Sequence, residues 1–193
     1  ALSGSEGKNP RQGDAANRAI VMIDPFSDVT ELYEDLEPSM IKAVVRLIGA
    51  YKNQSRFKQI DLTLAEADDV YSRFLIAPSR KDENGETVRG AAAIASGGLG
   101  AFLGFFSEAY RHHDFMLGRA NCRDFLKNWF VLPDDNPLIE QSYRLDPAAR
   151  QPYRSAERDD HYQIIPLVDG IGDIEEPRWP KGAFTGYGEV AEE

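Results

Sequence analysis

Apolar positions along the chain fall in short clusters separated by polar stretches marked with proline and glycine, a pattern that predicts several brief elements. Ala19-Ile20-Val21-Met22-Ile23 is a continuous apolar run closed by Asp24-Pro25, as expected of a strand buried on both faces in a parallel sheet. Pro25 ends it by removing an N–H donor. After a turn-rich stretch Pro38 opens a helix in which Ile41, Val44, Val45, Ile48 and Tyr51 recur at helical spacing, with Lys42, Arg46 and Lys52 off that stripe. The segment from Ile60 to Val70 is mixed and fits either a strand followed by a helical turn or one short helix. Phe74-Leu75-Ile76-Ala77 reads as a strand stopped by Pro78. Asn84-Gly85 predicts a tight, exposed turn, because both residues tolerate positive φ.

From Gly97 the composition shifts to GGLGAFLGFFSEAYRHHDFMLGR, where Leu99, Phe102, Leu103, Phe106, Tyr110 and Leu117 share a helical stripe and Gly100 and Gly104 offer a close-packing groove. Gly118 is then a C-cap, and Asn121 the N-cap of a second helix carrying Phe125, Leu126, Trp129 and Phe130 up to Pro133. The pair predicts a packed hairpin or corner. Beyond Asp134 only Ile164-Ile165 and Leu167-Val168 are apolar pairs, which predicts an extended segment draped on the domain. The organisation expected is a flexible segment over 1–18, an α/β portion over 19–133 and an extended segment over 134–193.

The chain has 193 residues, 42% of them AVILMFWYC and 28% charged, enough to bury a core. A net charge of −10 and the lack of any basic run argue against nucleic acid as a partner. The lone Cys122 cannot form an internal disulfide, which fits a reducing compartment. No apolar h-region of a signal peptide precedes Asn17, and the most apolar window, Ala91 to Phe106, falls short of the roughly 20 residues that span a bilayer. The expected location is cytoplasmic or peripheral to a membrane.

Several residues invite a chemical reading. Ser96 leads into a glycine-rich stretch like the serine of a nucleophile elbow, but Ile94 stands where that strained turn needs a small residue, so the favoured role is a helix cap. Asp169-Gly170 could complete a serine–aspartate pair with Ser96, or be a turn dipeptide. His112-His113-Asp114 could ligate a metal, yet adjacent helical residues point about 100° apart, which favours a salt-linked cluster with Arg111 or Arg119. Asp24 stands at a strand's carboxyl end, where ligands gather in α/β sheets, but Asp before Pro is a routine turn starter, which is the favoured role. Cys122 has Arg119 and Arg123 nearby, and burial in the helix corner is expected. Phe102, Phe105, Phe106, Trp129 and Phe130 are either core or a patch facing a lipid or a partner; core is the expectation.

The run SGGLGAFLGFFSEAYRHHDFMLGRANCRDFLKNWFVLP, residues 96–133, resembles the C-terminal region of bacterial patatin-like phospholipases, and AIVMIDPF, SRFLIAPSR and IIPLV follow the order of that family. The resemblance runs roughly from Arg18 to Pro180, with HDFMLGRANC its most specific part. It implies the C-terminal part of a three-layer α/β fold, with short buried strands packed by helices, and lipid acyl hydrolysis by a serine–aspartate dyad in the parent chain. The G-x-S-x-G, D-G-[GA] and glycine-rich oxyanion motifs are expected upstream of Ala1. The resemblance therefore carries no catalytic, cofactor-binding or metal-binding residue onto this chain. The implied partners are the N-terminal catalytic portion of the parent, the lipid through that parent, and a second copy by self-association. A noncatalytic lipid- or protein-binding module is the alternative.

Overall fold

The computed structural model describes residues 10–25, 59–97, 102–143, 147–168, 174–180, 184–186 and 189–190. The helix expected from Pro38 and the dipeptide Asp169-Gly170 lie outside them. Helices mix with small two-stranded sheets, an α/β composition in the broad sense. The chain divides into two compact units, one formed by residues 1–22, 60–76 and 122–174 and the other by 23–59, 77–121 and 175–193.

In the first unit, strand β1 (Ile20–Ile23) pairs with β2 (Arg73–Ile76). The expectation that β1 is buried on both faces is corrected: Met22 is buried while Val21 and Ile23 are exposed, so one face alone is covered. An unbroken apolar run cannot distinguish these cases, because burial is set by what packs on each face. Residues 59–70 resolve to one short helix, α1 (Gln59–Glu66), followed by a turn into buried Val70.

Strand β5 (Val131–Pro133) pairs antiparallel with β6 (His161–Gln163), and α3 (Pro137–Ser142) and α4 (Pro147–Arg150) lie between them in sequence. The region beyond Asp134 is thus not merely extended. Ile139 and Tyr143 join Ala16 and Leu132 in the core, flanked by Tyr71, Tyr153, Tyr162 and Ile164. The Tyr143 hydroxyl donates to the Gln163 carbonyl at 2.7 Å, and burial, with Tyr153 adding to it, pushes its pKa up to about 12.

Asn136 joins distant segments of this unit. Its Oδ1 accepts from Leu138 N at 2.8 Å, capping α3 ahead of Pro137, while its Nδ2 donates to the carbonyls of Gly13 at 2.6 Å and Ala16 at 2.9 Å. Residues 10–18 form neither helix nor strand, as their composition predicts, but these bonds dock them instead of leaving them frayed.

The second unit contains a hairpin, β3 (Ser79–Lys81) against β4 (Thr87–Arg89). Its loop is the expected exposed turn. Gly85 has φ +81°, and Asp82 Oδ1 accepts from Asn84 N at 2.9 Å and Glu86 N at 2.8 Å. A 3-10 turn (Gly90–Ala93) follows, and a second 3-10 turn (Phe102–Phe105) precedes the longest helix, α2 (Glu108–Asp124). Near the C-terminus β7 (Phe184–Gly186) pairs antiparallel with β8 (Glu189–Val190). The β3–β4, β5–β6 and β7–β8 pairs are all antiparallel.

Two expectations for the glycine-rich region are corrected. The helix does not start near Gly97: a 3-10 turn comes first, and α2 begins after Ser107, whose Oγ accepts from Tyr110 N at 3.3 Å. Nor is there a corner at Gly118 and Asn121, both of which lie inside α2. Asn121 uses its side chain on a strand instead, accepting from Ser79 N at 3.0 Å and donating to Ser79 O at 2.7 Å. Continuity beyond Asp124 comes from a π-helical turn (Phe125–Trp129) closed by Phe130 N on Phe125 O at 2.7 Å. The wider turn lets Phe125 and Phe130 stack at 5.4 Å, with Phe74 edge-on to both.

Candidate functional site

Polar side chains converge in the second unit where α2 meets the turn after the first 3-10 segment. Asp114, on the second turn of α2, accepts from Ala95 N at 2.6 Å and His113 Nδ1 at 2.8 Å through Oδ1, and from Ser96 N at 3.0 Å and Ser96 Oγ through Oδ2. Two donors reach each oxygen. The carboxylate is an acceptor only, so His113 Nδ1 carries the proton.

Close backbone packing makes this possible. A Cβ on Gly97 would collide with the Ala91 carbonyl and lie 3.0 Å from Ile94 O, while one on Gly104 would lie 3.2 Å from Ser96 Cβ. Glycine at these positions lets the 95–97 turn fold tightly and the second 3-10 turn sit against Ser96. The groove expected from Gly100 and Gly104 on a helix is not confirmed: Gly104 lies in a 3-10 turn against Ser96, and Gly100 lies outside the described residues.

His113 is 3% exposed and its Nε2 has no hydrogen-bond partner. Its ring stands edge-on to Trp179 at 5.1 Å, and the Arg80 guanidinium lies over the same indole at 3.9 Å. Glu176, three residues before Trp179, accepts from Lys81 N at 2.9 Å. Glu176 and Trp179 thus lie against the β3 hairpin, with Trp179 in contact with both Arg80 and His113. Burial pushes the Arg80 guanidinium below its ordinary pKa, against the opposing charges of Asp82 and Glu176.

Electrostatics decide what this cluster can do. Burial works to raise the Asp114 pKa, but the hydrogen bonds from His113, the Ser96 side chain and the 95 and 96 N–H groups outweigh it and hold the carboxyl below the usual range. A general base works best when its pKa lies near the operating pH. A carboxylate held below its ordinary pKa by four donors is a weak one. The N–H groups of residues 95 and 96, which in an elbow would face a developing oxyanion, are directed at Asp114. The arrangement is that of a clamp fastening the turn to the helix.

The remaining candidates separate. Ser96 does not cap a helix; its hydroxyl binds Asp114. Neither arginine joins the His113–Asp114 pair, since Arg111 Nη1 donates to Gly104 O at 2.6 Å and Arg119 Nη1 lies 3.7 Å from Met116 Sδ. His112 is exposed, about 100° around the helix from buried His113. Cys122 is exposed, which corrects its expected burial. Asp24 is buried. Phe105 and Phe106 are exposed, contrary to the expected core role, Trp129 is partly exposed with Arg158 5.7 Å from its ring, and Phe130 packs on Phe125 and Phe74. Among the described residues no group of three or more His, Cys, Asp or Glu side chains is placed to hold a metal ion.

Sequence reasoning missed Asp114 as the partner of Ser96, as well as Arg80 and Trp179. Nothing local links residues 18 positions apart across an irregular turn. Trp179 did leave a signal: a tryptophan between prolines in a polar stretch needs an apolar or cationic surface to cover it.

No described helix is long and apolar enough to cross a membrane. No family model matches the sequence. No solved structure matches it either. The chain is 33% identical over 183 residues to the Uncharacterized protein y4iI of Sinorhizobium fredii (strain NBRC 101917 / NGR234), with 90% of this chain and 26% of that protein covered. The chain thus spans about a quarter of the length of this curated relative.

Proposed function

We propose that this chain is the C-terminal portion of a patatin-like lipid acyl hydrolase, that it completes the packing of the fold, and that the serine–aspartate dyad belongs to the N-terminal catalytic portion of the parent. The observation that carries this reading is the saturation of Asp114: Ser96, which leads into the glycine-rich stretch, has its hydroxyl, its own N–H and its neighbour's N–H all donating to a weakly basic carboxylate. The resemblance over residues 96–133 supplies the family, and the greater length of the Sinorhizobium relative is compatible with a parent that holds further machinery. In such a parent an elbow serine attacks the ester carbonyl, the aspartate takes the hydroxyl proton, and a glycine-rich loop donates to the oxyanion. The structural role of this chain, with the parent peripheral to a membrane or cytoplasmic, follows from that division of labour.

The expected result is that the 193-residue chain hydrolyses a short-chain nitrophenyl ester no faster than buffer, while a longer parent chain that includes the catalytic portion turns it over. Hydrolysis by the 193-residue chain that Ser96→Ala abolishes would overturn the reading. A second reading, a noncatalytic binding module, is favoured by one observation: Phe105, Phe106 and Phe115 are all exposed.

A further inference from the structure

Phe105, Phe106 and Phe115 are 78%, 79% and 65% exposed. Phe105 and Phe106 belong to the turn that precedes α2, and Phe115 lies on α2 itself. The Arg111 bond to Gly104 O fixes the turn carrying Phe105 beside the first turns of α2. Phe115 lies one helical turn beyond Arg111, Arg119 lies one turn beyond Phe115, and the Arg119 guanidinium lies 5.8 Å from the Phe115 ring centre. At about 100° per residue, Glu108, Arg111, His112, Phe115 and Arg119 fall within one stripe of α2. All are exposed, whereas His113, Leu117 and Ala120 lie on the far side and are buried. From Arg111 to Arg119 this stripe is about 12 Å long.

Its charge is opposite to that of the molecule. The whole chain carries −10, yet the stripe holds Arg111 and Arg119 against the single acid Glu108, with Asp114 turned onto the clamp and Asp124 on the opposite side of the helix. Charges more than about 8 Å away are largely screened at physiological ionic strength, so an approaching surface meets this local field more strongly than the bulk negative charge. Exposed aromatic rings interleaved with arginine are the composition that seats a helix in the boundary between headgroups and acyl chains.

We propose that the Phe105–Phe106 turn and the outer face of α2 dock on an anionic lipid bilayer, the rings entering the boundary layer and Arg111 and Arg119 meeting lipid phosphates. This deepens the acyl hydrolase reading by giving its lipid a place to lie against this chain. Vesicle binding needs no hydrolysis, so the two can fail separately.

The test is co-sedimentation of the 193-residue chain with phosphatidylcholine vesicles made with or without phosphatidylserine. Binding is expected to the anionic vesicles, to weaken with added salt, and to be much lower on phosphatidylcholine alone. Phe106→Ser with Phe115→Ser should lower partitioning about tenfold or more, and Arg119→Gln about fivefold at low salt. Because these side chains are exposed, both variants should keep the wild-type circular dichroism and unfolding midpoint. No binding, equal binding to both vesicle types, or undiminished binding by the phenylalanine variant with its fold intact would each overturn the proposal. So would concentration-dependent self-assembly that the same substitutions abolish in the absence of vesicle binding, which would assign the face to a second copy of the chain.

Discussion

Asn136→Ala is expected to lower the unfolding free energy by about 2–4 kcal/mol, read as a fall in urea midpoint at constant m. The side chain is fully buried, at 0% exposure, and each end is committed. Loss of Oδ1 uncaps α3 at Leu138 N, worth about 1 kcal/mol. Loss of Nδ2 strands the carbonyls of Gly13 and Ala16 beside the core containing Ala16 and Leu132, and a buried acceptor left unpaired costs about 1–3 kcal/mol. Asn136→Asp separates the contributions. It keeps the cap acceptor but turns an oxygen toward carbonyl oxygens, so it should recover none of the second loss. Near-wild-type stability for both variants would show that the Asn136 bonds to residues 13 and 16 contribute nothing to the first unit.

The second large effect is at the clamp. Asp114→Asn keeps the shape but replaces one acceptor oxygen with a donor that faces the N–H groups of residues 95 and 96 or the His113 ring. With hydrogen bonds to a charged acceptor worth about 1.5–3 kcal/mol each, the substitution should cost about 2–4 kcal/mol at pH 7. The pH dependence has a defined sign. The folded-state pKa of Asp114 is lowered, so its stabilising contribution is fully present above the unfolded carboxyl value of about 3.9 and is lost as pH falls through the lower folded value. The stability gap between wild type and Asp114→Asn should therefore be constant near neutrality and close below about pH 4. A gap that closes instead between pH 6 and 8 would assign the linkage to another group.

How much of this was legible in the sequence depends on whether a feature is local. The Asp82–Glu86 loop was, because Asn84-Gly85 encodes its own backbone geometry. So was β2, bounded by Pro78. The glycine-rich stretch was misread for the reverse reason. Its apolar stripe has helical period, yet Gly97 leaves room for the Ala91 and Ile94 carbonyls and Gly104 for the Ser96 side chain, which periodicity does not register. Gly118 and Asn121 look like cap residues, but α2 continues through both because Asn121 is held by Ser79. For the site, Ser96, His113 and Asp114 were each singled out, and their assembly was not. Asp114 binds the turn across 18 residues, and Trp179 arrives from a segment whose pattern says only that it is polar.

The central claim is that the hydroxyl and carboxylate meeting at Ser96 and Asp114 are fastening, and its most direct test is chemical. Incubation of the folded chain with a fluorophosphonate that labels activated serines, followed by peptide mass spectrometry, should leave Ser96 unmodified, with Ser96→Ala indistinguishable from wild type in total labelling. Stoichiometric phosphonylation of Ser96, lost in Asp114→Asn, would contradict it.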